Sequence, residues 1–537
     1  LNPPRVEPPT RRGATVSTIA CPRLTARDRR HHDGKNIAET ASDDARLSSA
    51  LARAPGRTVS AGNSGAGLQH ALTTANQLLG AGRIAEADRL LRRIVAARPD
   101  HPAALHMAGV VAFQAGRAAE GAALVERALA LRPDMPDALY NLGKMLVSLA
   151  QVARAKHVFT RVVEQRPDHV AAWNFLGNLH RGDGAFDDAI AAYRRALAIA
   201  PDEHTTVINI AQALSSAGQH AEARIHAQRA IELVPDAAAG HAGLGAILLR
   251  AGVPEQALTP LARAAAINPT EATHQINLAI ALHRLARDQD ALDACERALA
   301  LGPRDTRALH YQAALLALLG RHEQLAQLMP LDRLVEEREI VPPAASGDLA
   351  SFNRALVDAI LAHPTLTAAP ITKSTRGGRQ TADLLAGSAG ALAQFAAIVR
   401  QAVEAYSKRL VDMIDHPMGG PAPANFDLMS WATVLDEGGY QLSHFHPAAW
   451  VSGVYYAQMP DSITADHPDH AGWIALGRPQ AEFDAAGGSP ERWCHPREGK
   501  LLLFPGWLGH RTQPFRADRC RISVAFDARA VMQPAPG

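Results

Sequence analysis

Cysteine is scarce in this chain. Cys21, Cys295, Cys494 and Cys520 are the four among 537 residues, and no two stand in a CxxC pair. That excludes a disulfide framework or a zinc ribbon and fits a reducing compartment. An excess of one charge is lacking too. The formal net charge is +2, which gives no electrostatic case for nucleic acid or an anionic membrane as partner. No uninterrupted apolar run reaches the roughly eighteen residues of a membrane span. Residues 1–30 lack the apolar core of a secretory signal. The expectation is a soluble, cytoplasmic protein, and at this length one with two or more domains.

Aromatic residues make up 5% of the chain and are unevenly spread. Trp431, Trp450, Trp473, Trp493 and Trp507 crowd the C-terminal part, and Trp173 stands alone before them. Alanine-rich text gives way after about residue 340 to Gly, Pro, aromatic and β-branched text, which marks a domain boundary. Residues 1–64, rich in Arg, Pro, Ser, Asp and Gly, are expected to be disordered. A helical domain is expected at 65–336, a linker at 337–348 ("EREIVPPAASGD"), a second domain at 349–530 and a tail at 531–537.

What the middle of the chain does have is a clock. Pro99, Pro133, Pro167, Pro201, Pro235, Pro269 and Pro303 are spaced 34 residues apart. Small residues recur between them: Gly109, Gly143, Gly177 and Gly245, then Ala155, Ala189, Ala223, Ala257 and Ala291 in a later slot. Small residues there let two antiparallel helices approach closely, and the proline stops the second helix before the next unit. Period and pattern resemble the tetratricopeptide repeat family, with seven repeats over roughly 68–305 and a further helical pair near 306–329. The resemblance implies an all-α solenoid whose groove takes a protein or peptide. Asn141, Asn209 and Asn277 share one slot of alternate repeats, with Asn174 and Asn178 on the first helix of a repeat between the first two. An asparagine amide can both donate to and accept from a peptide backbone. A similar ladder lines the solenoid groove of O-linked N-acetylglucosamine transferases; ordinary solvated helix polarity is the alternative.

The C-terminal text starts helically, at "DLASFNRALVDAILAH" and "AGALAQFAAIVRQAVEAYSKRLVDMI", and then breaks into short strands: "FDLMSWATVL", "WVSGVYYAQM", "KLLLFP" and "RISVAF". Three features follow in order: His444-Phe445-His446, then His510, then Arg521 with Ser523 on one strand face. At i and i+2 of an extended strand, two imidazoles aim one way and Phe445 the other. A non-haem iron site needs three ligands on one face of an octahedral ion with positions left open. Arginine suits a distal carboxylate through its bidentate fork. Tyr455 and Tyr456 point to opposite faces, so one of them can reach the site. Gln441 and Trp450 flank the histidine pair.

"HFHP", "SGVYY", "KLLLFP", the later His and "RISVAF" together resemble the 2-oxoglutarate-Fe(II) oxygenases often found behind tetratricopeptide repeats in bacteria, over roughly 350–530. The resemblance implies a double-stranded β-helix (jelly-roll) core within an α+β domain, Fe(II) and O2 at His444 and His510, and 2-oxoglutarate at Arg521, with Ser523 and Tyr456 assisting. Most such enzymes carry Asp or Glu where this chain has His446. Three readings are open: His446 is the third ligand; it stands behind the metal; or a carboxylate such as Asp436 or Asp466 swings in. The implied activity is a dioxygenase that hydroxylates a protein or peptide side chain. Its rival is a non-catalytic adaptor with a degenerate oxygenase module.

Overall fold

The computed structural model describes residues 63–531 apart from 370–372, 386, 422, 424, 480–488 and 518. Residues 1–62 of the expected disordered segment, and 532–537 of the tail, lie outside these. The chain divides into two compact units at Ala251/Gly252. No described helix is long and apolar enough to cross a membrane.

The first unit is helical throughout, from Asn63–Gly80 to Ala238–Arg250, in antiparallel pairs that follow the sequence period. Helices Val170–Gly182 and Phe186–Ile199 are typical. The glycine slot explains their closeness: a Cβ on Gly177 would lie 2.4 Å from the Tyr193 ring. Pro201 comes two residues past the second helix. Ala200 between them has left the helical region, at φ −130° and ψ 85°, as the residue before a proline is steered to do. Apolar side chains such as Leu142, Phe159, Val162 and Leu176 fill the core between pairs.

The second unit begins with helices Pro254–Ile267, Ala272–Arg284, Asp288–Leu301, Thr306–Leu318 and His322–Leu328. An antiparallel sheet of seven strands follows, in the order β1-β8-β5-β10-β4-β3-β2, with a sheet of three in the order β7-β6-β9. The strands are β1 Glu336–Glu339, β2 Thr367–Ala368, β3 Thr375–Gln380, β4 Phe426–Gln441, β5 Val451–Gln458, β6 Ile474–Leu476, β7 Arg492–Cys494, β8 Lys500–Pro505, β9 His510–Thr512 and β10 Arg521–Ala530. Helices Leu349–Leu361 and Gly390–Leu410 account for the helical text before the strands.

Two expectations need correction. Residues 337–339, expected within a linker, belong to β1, which pairs with β8 from Glu336↔Leu503 to Glu339↔Lys500. Their backbone groups find partners on a sheet edge, and Glu337 bonds Lys500 Nζ at 2.8 Å. The repeat array also does not end as a separate body near 336, because residues 252–329 cluster with the sheets. Side chains hold them there: Arg304 donates to the carbonyls of Gly419 and Pro421, and Thr306 to that of Pro447.

Candidate metal centre

β10 runs through the middle of the large sheet between β4 and β5. Alternation along it puts Arg521, Ser523 and Ala525 on one face, lining a cleft, and Ile522, Val524 and Phe526 on the other. β4 adds Trp431 and Thr433, cross-strand from Ala525 and Ser523.

The three histidines meet at the mouth of this cleft. His444 and His510 form an isolated antiparallel bridge, each N–H donating to the other's carbonyl at 3.0 and 2.9 Å. The regular strand expected at 444–446 is not formed. Pro447 has no N–H to continue a ladder, and the chain turns at 447–448. The expected facing is kept nonetheless: Phe445 points away from its neighbours and stacks on His310, ring centroids 3.9 Å apart.

One nitrogen from each of His444, His446 and His510 lies within 4.8 Å of the others. Among the described residues no other group of three His, Cys, Asp or Glu side chains is so placed. The far side of each ring fixes its tautomer. His444 Nδ1 lies 2.7 Å from the Leu442 carbonyl, and His510 Nδ1 3.1 Å from that of Leu508. His446 Nδ1 lies 2.9 Å from the Asp527 carboxylate. All three partners only accept, so each Nδ1 carries a proton, and Nε2 is the nitrogen each ring has left to offer a metal. His446 Nε2 and His510 Nε2 are 3.3 Å apart. Two lone pairs at that range repel unless an electron-poor centre sits between them. Neighbouring ligands of an octahedral ion are separated by about 3 Å, given metal–nitrogen bonds near 2.1 Å.

His444 and His510 are held neutral. Burial first, then the neighbouring His446, pushes His444 down to about 3. Burial and the other two rings push His510 well below the usual histidine value. Burial alone would raise Asp527, but His446 and the Ser452 hydroxyl, 2.7 Å away, outweigh it and keep the carboxylate ionised.

At the other end of the face Arg521 is 1% exposed, and its Nε and Nη1 have no hydrogen-bond partner. Its guanidinium lies over the Tyr456 ring, 5.2 Å from the centroid, and the Tyr456 hydroxyl is also unpartnered. A buried cation without a counter-ion costs several kcal/mol, and an anion in the cleft would relieve that cost. The two tyrosines part as alternation requires. Tyr455 donates to Asn353 and packs on Phe395, away from the cleft. Gln441 and Phe504 line the cleft, and Trp450 does not.

Neither alternative carboxylate joins the histidines. Asp436 is on the surface, 3.9 Å from Arg379, and Asp466 bonds Thr464. The carboxylate that does reach them, Asp527, was missed, as was Trp431, which stacks on His446 at 5.5 Å. Its signal was available: Asp527 continues the alternation 521, 523, 525.

The asparagines are mostly engaged. Asn141 Nδ2 meets His106 Nε2 at 3.0 Å, Asn174 donates to Thr206 Oγ1 at 2.5 Å, and Asn178 accepts from the Tyr193 hydroxyl at 2.8 Å. Asn209 is half-buried. In the second unit Asn277 is buried and accepts from Arg307 at 3.1 Å.

Among curated proteins no sequence matches this chain. Among solved structures it is similar to a tetratricopeptide repeat protein from Parabacteroides merdae, at 13% identity over 46% of this chain and 98% of that one, TM-score 0.40. It is also similar to MamA from Desulfovibrio magneticus, at 23% identity over 31% and 94%, TM-score 0.30. A third is YrrB, a repeat protein with an unusual peptide-binding site, at 20% identity over 35% and 96%, TM-score 0.29. Residues 72–136, 106–149 and 140–204 match one family described as "Tetratricopeptide repeat", and 180–247 another. Residues 429–527, which span both histidine segments, Arg521 and Asp527, match the family described as "Putative 2OG-Fe(II) oxygenase". The chain therefore joins tetratricopeptide repeats at 72–247 to a domain of this oxygenase family at 429–527.

Proposed function

We propose that the protein is a 2-oxoglutarate- and Fe(II)-dependent dioxygenase that hydroxylates a protein or peptide side chain captured by its repeats. One observation carries the reading: three convergent Nε2 lone pairs share a cleft with a buried guanidinium that has no counter-ion. In this reading His444, His446 and His510 hold the metal, leaving positions for co-substrate and O2, and the two sheets are the halves of a double-stranded β-helix. Bound Fe(II) supplies the chemistry by which O2 converts 2-oxoglutarate to succinate and CO2 and places its second oxygen in a C–H bond.

The chain's own groups do the rest. Arg521 offers Nε and Nη1 to the distal carboxylate of 2-oxoglutarate, and the Tyr456 hydroxyl and Ser523 complete that end. Asp527 holds His446 by Nδ1 and brings a negative charge to within one ring of the metal. Trp431 and Phe504 wall the cleft and keep water away from it.

An anaerobic titration tests the proposal. Fe(II) and then 2-oxoglutarate should give a visible charge-transfer band, and admitting O2 should release succinate. No band and no succinate would favour the adaptor reading. A groove role for Asn141 and Asn209 in the first unit predicts that replacing both by Ala weakens peptide capture and spares uncoupled 2-oxoglutarate turnover; Asn277, buried against Arg307 in the second unit, has no amide left to offer a peptide. Equal loss of capture and turnover would remove that role.

A further inference from the structure

Helix Thr306–Leu318 belongs by sequence to the end of the repeat array, yet it touches both segments that carry the candidate ligands. His310, 2% exposed, is the point of contact. Its ring lies flat on Phe445, the residue between His444 and His446, with centroids 3.9 Å apart and planes 9° apart. Its Nδ1 lies 3.0 Å from the Trp507 carbonyl, three residues before His510. A carbonyl only accepts, so His310 donates there. The fit on that side is tight: a Cβ on Gly509 would come within 3.3 Å of His310 Cε1 and 2.2 Å of the Arg478 carbonyl. Two further contacts come from the same helix. Thr306 donates to the carbonyl of Pro447, next to His446, and Tyr311 meets Phe445 edge-on at 6.3 Å.

The ligand segments need such a support. Residues 445 and 446 lie outside any strand, and one bridge with His510 is the regular pairing that holds 444. The 444–446 and 506–510 segments are tied by that bridge and by the His446 N–H donating to the Gly506 carbonyl at 2.8 Å, and the packing behind them adds to these two ties in setting the three Nε2 atoms. His310 touches one segment with its face and the other with its N–H.

Building on the metal reading above, we propose that His310 is a positioning residue for the metal centre, and that the last repeat helix is a working part of the oxygenase site. His310 contacts no substrate or co-substrate; it acts through Phe445 and Trp507.

The test uses the full chain, Co(II) as a spectroscopic probe under anaerobic conditions, and binding rather than turnover as readout. His310→Leu fills the volume but has neither a flat ring nor an N–H. It should bind Co(II) about tenfold more weakly, as loss of an outer support does, with an altered visible spectrum. His310→Phe keeps the face against Phe445 and should recover part of the loss. Thr306→Val, at a half-buried position at the start of the helix, serves if the Leu variant does not fold, and should weaken Co(II) binding about two- to threefold. A role confined to stability would lower the melting temperature and leave Co(II) affinity and spectrum unchanged; that result would overturn the proposal. Failure of the unaltered protein to bind Co(II) would instead remove the metal reading on which it rests.

Discussion

Asp527 does for His446 what backbone carbonyls do for His444 and His510: it accepts the hydrogen bond from Nδ1 and leaves Nε2 for the proposed metal. It differs in being a charge, and so supplies at one remove the negative charge that a ligating carboxylate would have brought. Asp527→Asn tests this. An amide can turn its NH2 toward Nδ1 and reverse the tautomer, pointing an N–H at the metal. The expected outcome is Co(II) or Fe(II) affinity lower by about 10- to 100-fold, measured by competition with a chelator of known affinity. Arg521 makes the complementary case. Arg521→Met should cost about 2–5 kcal/mol of 2-oxoglutarate binding and leave Co(II) affinity unchanged. It should also raise the melting temperature of the metal-free protein, because an unpaired buried cation is replaced by a well-packed apolar side chain. Isothermal titration and thermal unfolding on the same sample check both halves. That His444, His510 and Arg521 share one cleft was legible, because their order and residue types match one coordination pattern. Asp527 was legible only as the next position on the face of 521, 523 and 525, since a carboxylate that grips a ligand from behind need not sit near it in sequence.

Strands and helices with a strong period were legible almost to the residue. "RISVAF" is the start of β10, "KLLLFP" is β8, and the 34-residue clock places every described helix pair of the first unit. β1 was not, because "EERE" reads as solvated text. Edge strands carry charge for that reason: it blocks pairing with another chain while one side still bonds the sheet. Helix Thr306–Leu318 raises a different point. Its repeat pattern is visible in the sequence, but His310 reads as an ordinary helix residue, and only packing shows that it is buried. Burial pushes it down to about 4, against an ordinary value of 6.5. Above pH 6.5 the ring is neutral folded and unfolded, and costs nothing. As pH falls from 6.5 toward 4 the unfolded chain takes a proton that the folded one refuses. Stability is lost over that window by about 1.4 kcal/mol per pH unit. Urea unfolding of the metal-free protein at pH 7, 6 and 5 should show a shallower decline in His310→Phe than in the unaltered chain, by about that amount per unit.

At the scale of the molecule, a repeat period says where each unit starts but not what covers its outer face. Every repeat reads alike, so the division at Ala251/Gly252 has no marker in the 34-residue pattern. The boundary expected from composition, near 337–348, is where the alanine-rich repeat text ends, and cutting there would separate parts that pack together. A fragment starting at 349 loses β1 and leaves the edge of β8 unpaired along Lys500–Leu503. It also bares the surface of Phe445 and Trp507 that His310 covers. Both losses invite edge-to-edge and apolar association. A fragment starting at 252 keeps them. The expected outcome is that residues 252–537 express as a soluble species with a cooperative unfolding transition and bind Co(II), while residues 349–537 aggregate. Size-exclusion chromatography followed by Co(II) titration decides it. A soluble 349–537 fragment with the same Co(II) affinity would show that the terminal repeat helices are neighbours of the site and no part of it. Aggregation of that fragment alone, with metal binding intact in 252–537, would place the working boundary of the oxygenase inside the repeats.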